Sequence, residues 1–189
     1  MNTLDTSAAA RRYSTGAMIF HWVIAVAVIV NWRIAEAAEH AASKAEAGEI
    51  MINHKALGIT ILVLTLARLA WRLTHKVPPL SSSLAGWEKV LARSVHIIFY
   101  VLLIGLPIGG WLGVSMFGAG VDMWGLFTVP GLPVGESPET GKAIIGLHKT
   151  GGEIMLYLIA LHIVGALKHT LFDKDGTLWR MLPFGSPKG

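Results

Sequence analysis

Cysteine is absent from the 189 residues. That excludes disulfides, thiolate-held iron–sulfur clusters, covalent c-type haem attachment and a thiol nucleophile. Charge is scarce as well. Only 15% of the residues are Asp, Glu, Lys or Arg, whereas soluble domains carry about a quarter. Hydrophobic residues make up 53% and the mean hydropathy is +0.55, so a single membrane domain is expected over residues 1–189. The isoelectric point near 9.5 raises nucleic acid as a partner. The basic residues, however, lie scattered at the ends of apolar runs rather than in one stripe, which fits a membrane surface and its lipid instead. With no thiol, histidine is the strongest metal ligand left, and there are eight.

Four apolar runs stand out, at about residues 16–38, 51–73, 87–116 and 142–172. Each is long enough to cross a bilayer with some tilt, so the expected fold is an all-α membrane bundle of four helices. Pro107 should kink the third helix, where neighbouring helices can satisfy the freed carbonyl. The first run lacks a small-residue cleavage site and reads as a retained helix rather than a signal peptide. Between the runs lie a Glu-rich loop (39–50), a Pro/Ser turn (77–83) and a Gly/Pro loop (118–140). With the N-terminus inside, eleven Lys and Arg residues fall on the cytoplasmic side and five on the other. This bias places both termini in the cytoplasm.

His148 and His162 are 14 residues apart on the fourth run. At about 100° per residue they return to within roughly 40° of one face, and about 21 Å separates them along the axis. One helix therefore offers a nitrogen ligand near each side of a hydrocarbon layer about 30 Å thick. Topology gives the other histidines their depths. His54 opens the descending second helix and shares the outer level with His148. His21 and His96 lie on the cytoplasmic side, and either one can partner His162. Two neutral imidazoles from facing helices make six-coordinate haem iron, suited to electron transfer because no position is open. The expectation is two b-type haems stacked across the membrane. Zinc binding and a proton relay through the histidines are the competing readings.

Gly58, Gly151, Gly152 and Gly165 each follow a candidate ligand by about one turn, leaving room for a porphyrin face or for close helix approach. His40 and His75 fall in loops or at helix ends and are expected to be solvated. His169 lies at the membrane boundary, as an interfacial residue or a partner for a haem propionate. Glu153 is expected to face the bundle interior, because an ionisable group at that depth is costly. The seven tryptophans lie mostly near helix ends, as in an aromatic belt.

An ordered series of motifs covers nearly the whole chain: FHW at His21, NHKALGI at His54, ARSVHIIFYVLLIGLPIGGW in the third run, LHKTGGE at His148, LHIVGALKH at His162 and TLWRMLP near the end. In this the sequence resembles the bacterial cytochrome b561 family, small four-helix dihaem membrane cytochromes of the bacterial inner membrane. The resemblance implies His21 with His162 as ligands of the inner haem iron and His54 with His148 as ligands of the outer one. It leaves His96 as part of the inner haem or quinone environment. It further implies exchange of electrons with ubiquinone. Relatives resembling superoxide oxidases pass electrons from superoxide, or another periplasmic donor, inward. Lys55, Lys149 and Lys142 would then attract a small anion to the outer haem, although neutralising propionates or anchoring the interface also accounts for each lysine. Arg68 and Arg93, with Arg72, would bind propionates or a quinone, or simply anchor the inner interface. Related cytochrome subunits of hydrogenases and dehydrogenases give an alternative function, and a non-haem transporter gives another.

Overall fold

Serine, glutamate and proline mark where the helices begin. A computed structural model describes residues 12–80, 84–174 and 176–185. It carries four long helices: α1 (Thr15–Glu39), α2 (Lys44–Thr74), α3 (Gly86–Ser115) and α4 (Pro138–Lys168). The Ser14 side chain accepts the Ala17 N–H, and the Ser43 side chain accepts the Glu46 N–H. The Glu88 carboxylate takes the Ala85 N–H at 2.9 Å, and Pro138 stands at the first helical position of α4. Each device satisfies, or removes, a donor that the first turn leaves unpaired. All four helices are long and apolar enough to cross a membrane.

The helices overrun the apolar runs at their ends. The second helix begins at Lys44 rather than at 51, so much of the Glu-rich stretch read as loop is helical. Alanine and glutamate are strong helix formers whether or not lipid surrounds them. The fourth begins at Pro138 rather than at 142, and after Lys168 it widens into a π-turn, His169–Asp173. The third continues as one helix through Pro107.

The bundle is two antiparallel hairpins, α1 on α2 and α3 on α4, joined where α2 packs on α3. Small residues set the approach of α3 and α4. Gly113 admits Ile145, Gly110 admits the His148 ring, and Gly151 admits Leu106. Of the glycines one turn from a candidate ligand, Gly151 and Gly58 stand against a neighbouring helix, Gly151 against Leu106 and Gly58 against the Asn31 side chain. Added methyl groups at Gly152 and Gly165 would meet nothing within 4 Å. Large apolar side chains such as Val26, Val63, Val101, Leu147 and Val164 point outward, which suits a lipid surround.

The two ends of the bundle are closed differently. At one end the loop after α3 forms a short antiparallel hairpin, β1 (Val121–Asp122) with β2 (Thr128–Val129). Its Val121 and Met123 bury against Ala56 of α2, with Ile59, Trp111 and Val129 around them. Ser115 holds the loop down, accepting the Leu132 N–H at 2.9 Å while its hydroxyl donates to the Trp111 carbonyl. At the other end the tail forms a 3-10 turn, Leu178–Met181, and stitches back onto the start of the chain. Trp22 Nε1–H donates to the Met181 carbonyl at 2.8 Å, the Tyr13 N–H to the Arg180 carbonyl at 3.1 Å, and Arg180 to the Pro79 carbonyl. Residues 12–13 and 178–185 therefore share one face of the bundle.

Candidate functional site

α4 presents His148 and His162 on one face, and the other helices meet them at two levels. At the first level His54 of α2 faces His148 with ring centroids 5.9 Å apart and planes at 88°. Each ring is held from behind by a main-chain carbonyl. His54 Nδ1 lies 3.1 Å from the Asn31 carbonyl of α1, and His148 Nδ1 lies 2.8 Å from the Leu106 carbonyl of α3. A carbonyl only accepts, so Nδ1 carries the proton in both rings and Nε2 keeps its lone pair. That is the tautomer a metal ligand needs, with the second nitrogen fixing the ring's orientation.

At the second level two histidines come within reach of His162. His21 lies at a centroid distance of 6.3 Å with planes at 69°, and His96 at 5.9 Å with planes at 84°. His96 donates from Nδ1 to the Ala92 carbonyl of its own helix. His21 differs: its Nδ1 lies 3.2 Å from a guanidinium nitrogen of Arg68. Arginine only donates, so here Nδ1 of His21 accepts and the ring proton sits on Nε2.

These spacings test the fit of a haem. Imidazole nitrogens bind metal at about 2 Å, and a nitrogen lies about 1 Å from its ring centre, so two rings on opposite sides of one ion have centroids about 6 Å apart. The observed 5.9 and 6.3 Å match at both levels. A tetrahedral zinc ion fits less well. It needs three or four converging ligands, and among the described residues the one such cluster is Glu88, His169 and Asp173, away from both ring pairs.

The remaining expected site residues are distributed unevenly. Lys55 adjoins His54 and is half-buried, while Lys142 is exposed in the first turns of α4. Lys149 pairs with Glu39 at 2.9 Å. Arg68 reaches the inner level and lies over the Tyr100 ring, 6.0 Å from its centre, whereas Arg93 is exposed on α3. His169 joins a boundary cluster in which Asp173 takes both His169 and Lys168 at 2.7 Å, and Lys168 also reaches Glu88. His40 and His75 are exposed, and His75 stacks on Trp71 at 3.9 Å. Glu153 is exposed rather than interior. Five residues beyond His148 it is turned by about 140°, onto the outward face. Four tryptophans do more than line an interface: Trp71 donates to Ser14, Trp22 to Met181, Trp111 to Pro130 and Trp124 to Asn53.

Three contributors escape sequence reading. Asn31 and Leu106 act through their carbonyls, which every residue possesses. Gly110 acts by lacking a side chain, and neither its position nor its neighbours on α3 name its partner on α4.

Comparison with known proteins gives the family. Residues 12–184 match the family described as prokaryotic cytochrome b561. A probable superoxide oxidase CybB from Yersinia pestis is 29% identical over 175 residues, covering 92% of this chain and 97% of its own. Cytochrome b561 homolog 1 of Escherichia coli strain K12 is 26% identical over 174 residues, covering 91% and 97%. Homolog 2 from the same strain is 31% identical over 129 residues, 68% of each chain. With four apolar helices and a match over most of its length, the chain belongs to the prokaryotic cytochrome b561 family, b-type haem proteins of bacterial membranes that transfer electrons.

Proposed function

We propose that the protein is a dihaem cytochrome of the bacterial inner membrane that takes electrons from superoxide, or another periplasmic donor, and delivers them to ubiquinone. The observation that carries this reading is the pairing of rings at two levels of one helix, His54 with His148 and His21 with His162. The probable superoxide oxidase from Yersinia pestis supports the direction of flow.

His54 and His148 hold the outer haem through Nε2, with the Asn31 and Leu106 carbonyls fixing both rings. His162 and His21 hold the inner one, following the FHW motif, and His96 borders it without binding iron. Ligation by Nε2 of His21 requires its proton to move to Nδ1. Arg68 must then release that nitrogen, which frees the guanidinium for a carboxylate such as a propionate. A bound b-type haem with two imidazole ligands supplies a one-electron centre with no open coordination position.

On the outer side Lys55 and Lys142 supply positive charge near the His54 level. Lys149 contributes less, since Glu39 offsets it. The net reaction balances as two superoxide anions losing one electron each to become dioxygen, while one ubiquinone gains two electrons and two protons to become ubiquinol. The excess of Lys and Arg on the side of both termini supports placing that side in the cytoplasm.

The test is a haem count and a reduced-minus-oxidised spectrum, followed by superoxide generated enzymatically in the presence of ubiquinone. Two haems per chain and ubiquinol formation are expected. A single haem, or no reduction by superoxide, overturns the corresponding part of the reading.

A further inference from the structure

We propose that Gly110 is a positioning residue for His148: the absence of a side chain at 110 makes the place that the imidazole occupies against α3. The inference rests on the reading that His148 holds the outer haem.

A Cβ at position 110 would lie 3.1 Å from Cε1, 3.2 Å from Nδ1 and 3.7 Å from Nε2 of His148. The first two are closer than the about 3.5–4.0 Å at which non-bonded carbon atoms rest. The contact is with the ring rather than with a flexible chain end. The ring has little freedom to retreat, because its Nδ1–H is bound to the Leu106 carbonyl at 2.8 Å and its other side faces His54. Leu106 and Gly110 are one helical turn apart, so α3 fixes His148 with two features of one face: a carbonyl that grips and a bare Cα that makes room. α4 reciprocates, since a Cβ on Gly151 would press on the Leu106 side chain. A methyl group at 110 must push the ring off the carbonyl, off the line toward His54, or both.

The neighbouring glycine supplies the control. Gly109 is on the same turn of α3, and a Cβ there would meet nothing within 4 Å. Alanine is the better helix former at either position, so any effect of backbone stiffening is common to G109A and G110A, and only the second meets the ring.

The experiment compares haem-loaded G109A, G110A and H148A by haem content per chain, by the ferric low-spin electron paramagnetic resonance spectrum and by potentiometric titration of each haem. G109A is expected to match the parent. G110A is expected to keep the inner haem and to show an outer haem of reduced occupancy, or one with a displaced resonance and potential. G110A indistinguishable from G109A overturns the proposal. So does loss of both haems in G110A, which would make Gly110 a residue of the fold and not of the ring. Failure of the underlying reading has a separate signature, since H148A would then retain both haems whatever G110A does. If H148A loses the outer haem and G110A is indistinguishable from G109A, only the role of Gly110 falls.

Discussion

His54 and His148 face one another almost at right angles, 88° between planes, and each is tethered to a different neighbouring helix. The pair thereby connects all four helices at one level: α1 through Asn31, α3 through Leu106, and α2 and α4 through the rings. Replacing either histidine by alanine is expected to remove the outer haem while the inner one stays. Perpendicular imidazole planes give ferric low-spin iron a strongly anisotropic resonance. The loss should therefore register as disappearance of that signal together with half of the haem in a pyridine haemochrome assay.

His21 and His96 both lie within reach of His162, the proposed inner haem would take two of the three as ligands, and substitution separates them. H162A and H21A are expected to lose the inner haem and keep the outer one. H96A is expected to retain two haems, with a change confined to the inner haem's spectrum or potential. Inner haem lost in H96A and kept in H21A would reassign the ligand, consistent with the free Nε2 lone pair that His96 already presents.

The proposed donor, superoxide, is an anion, so under that proposal its capture should respond to charge near His54. Reversing Lys55 to Glu is expected to slow reduction by superoxide by about tenfold at low salt, the lower end of the effects seen for steered encounters. The difference should shrink as ionic strength rises and the Debye length falls. Lys149→Gln should change the rate less, since Glu39 already pairs with that lysine at 2.9 Å. Equal sensitivity at both positions would contradict this ordering.

Among the described residues, one side-chain hydrogen bond ties the β1–β2 hairpin to α2, Trp124 Nε1–H to Asn53 Oδ1 at 3.1 Å. Trp124→Phe keeps an aromatic ring and removes the donor, and should cost about 1 kcal/mol. Val121→Ala, at a residue 1% exposed, should cost more, on the order of 2 kcal/mol for a truncated core side chain. Thermal unfolding in detergent measures both, and the reverse order would show that the hairpin is held chiefly by the tether.

Sequence alone makes the bundle legible because membrane helices announce themselves by apolar length, and the ligand levels follow from counting residues along them. It loses precision where lipid stops dictating. Lys44 through Ile50 are helical through capping and propensity, and hydropathy is silent about both. Glu153 was legible in principle, since its angle from His148 points it away from the bundle, but burial cost at depth suggested the opposite. Gly110 and Gly151 act through contacts between α3 and α4, which the order of residues within either helix does not encode. The choice between His21 and His96 depends on lateral helix placement, and both rings do come within reach of His162.

The stitching of the tail has a consequence for the order of biogenesis. Met181 and Arg180 leave the ribosome only after all four long helices have been made, and they bind Trp22 and Tyr13 at the start of α1. The start of α1 cannot reach its final fastening until the 3-10 turn has been made, although α1 precedes the other three long helices in synthesis. During synthesis that end of the bundle is consequently unlatched, and a fusion placed directly after the 3-10 turn would interfere with the step that latches it.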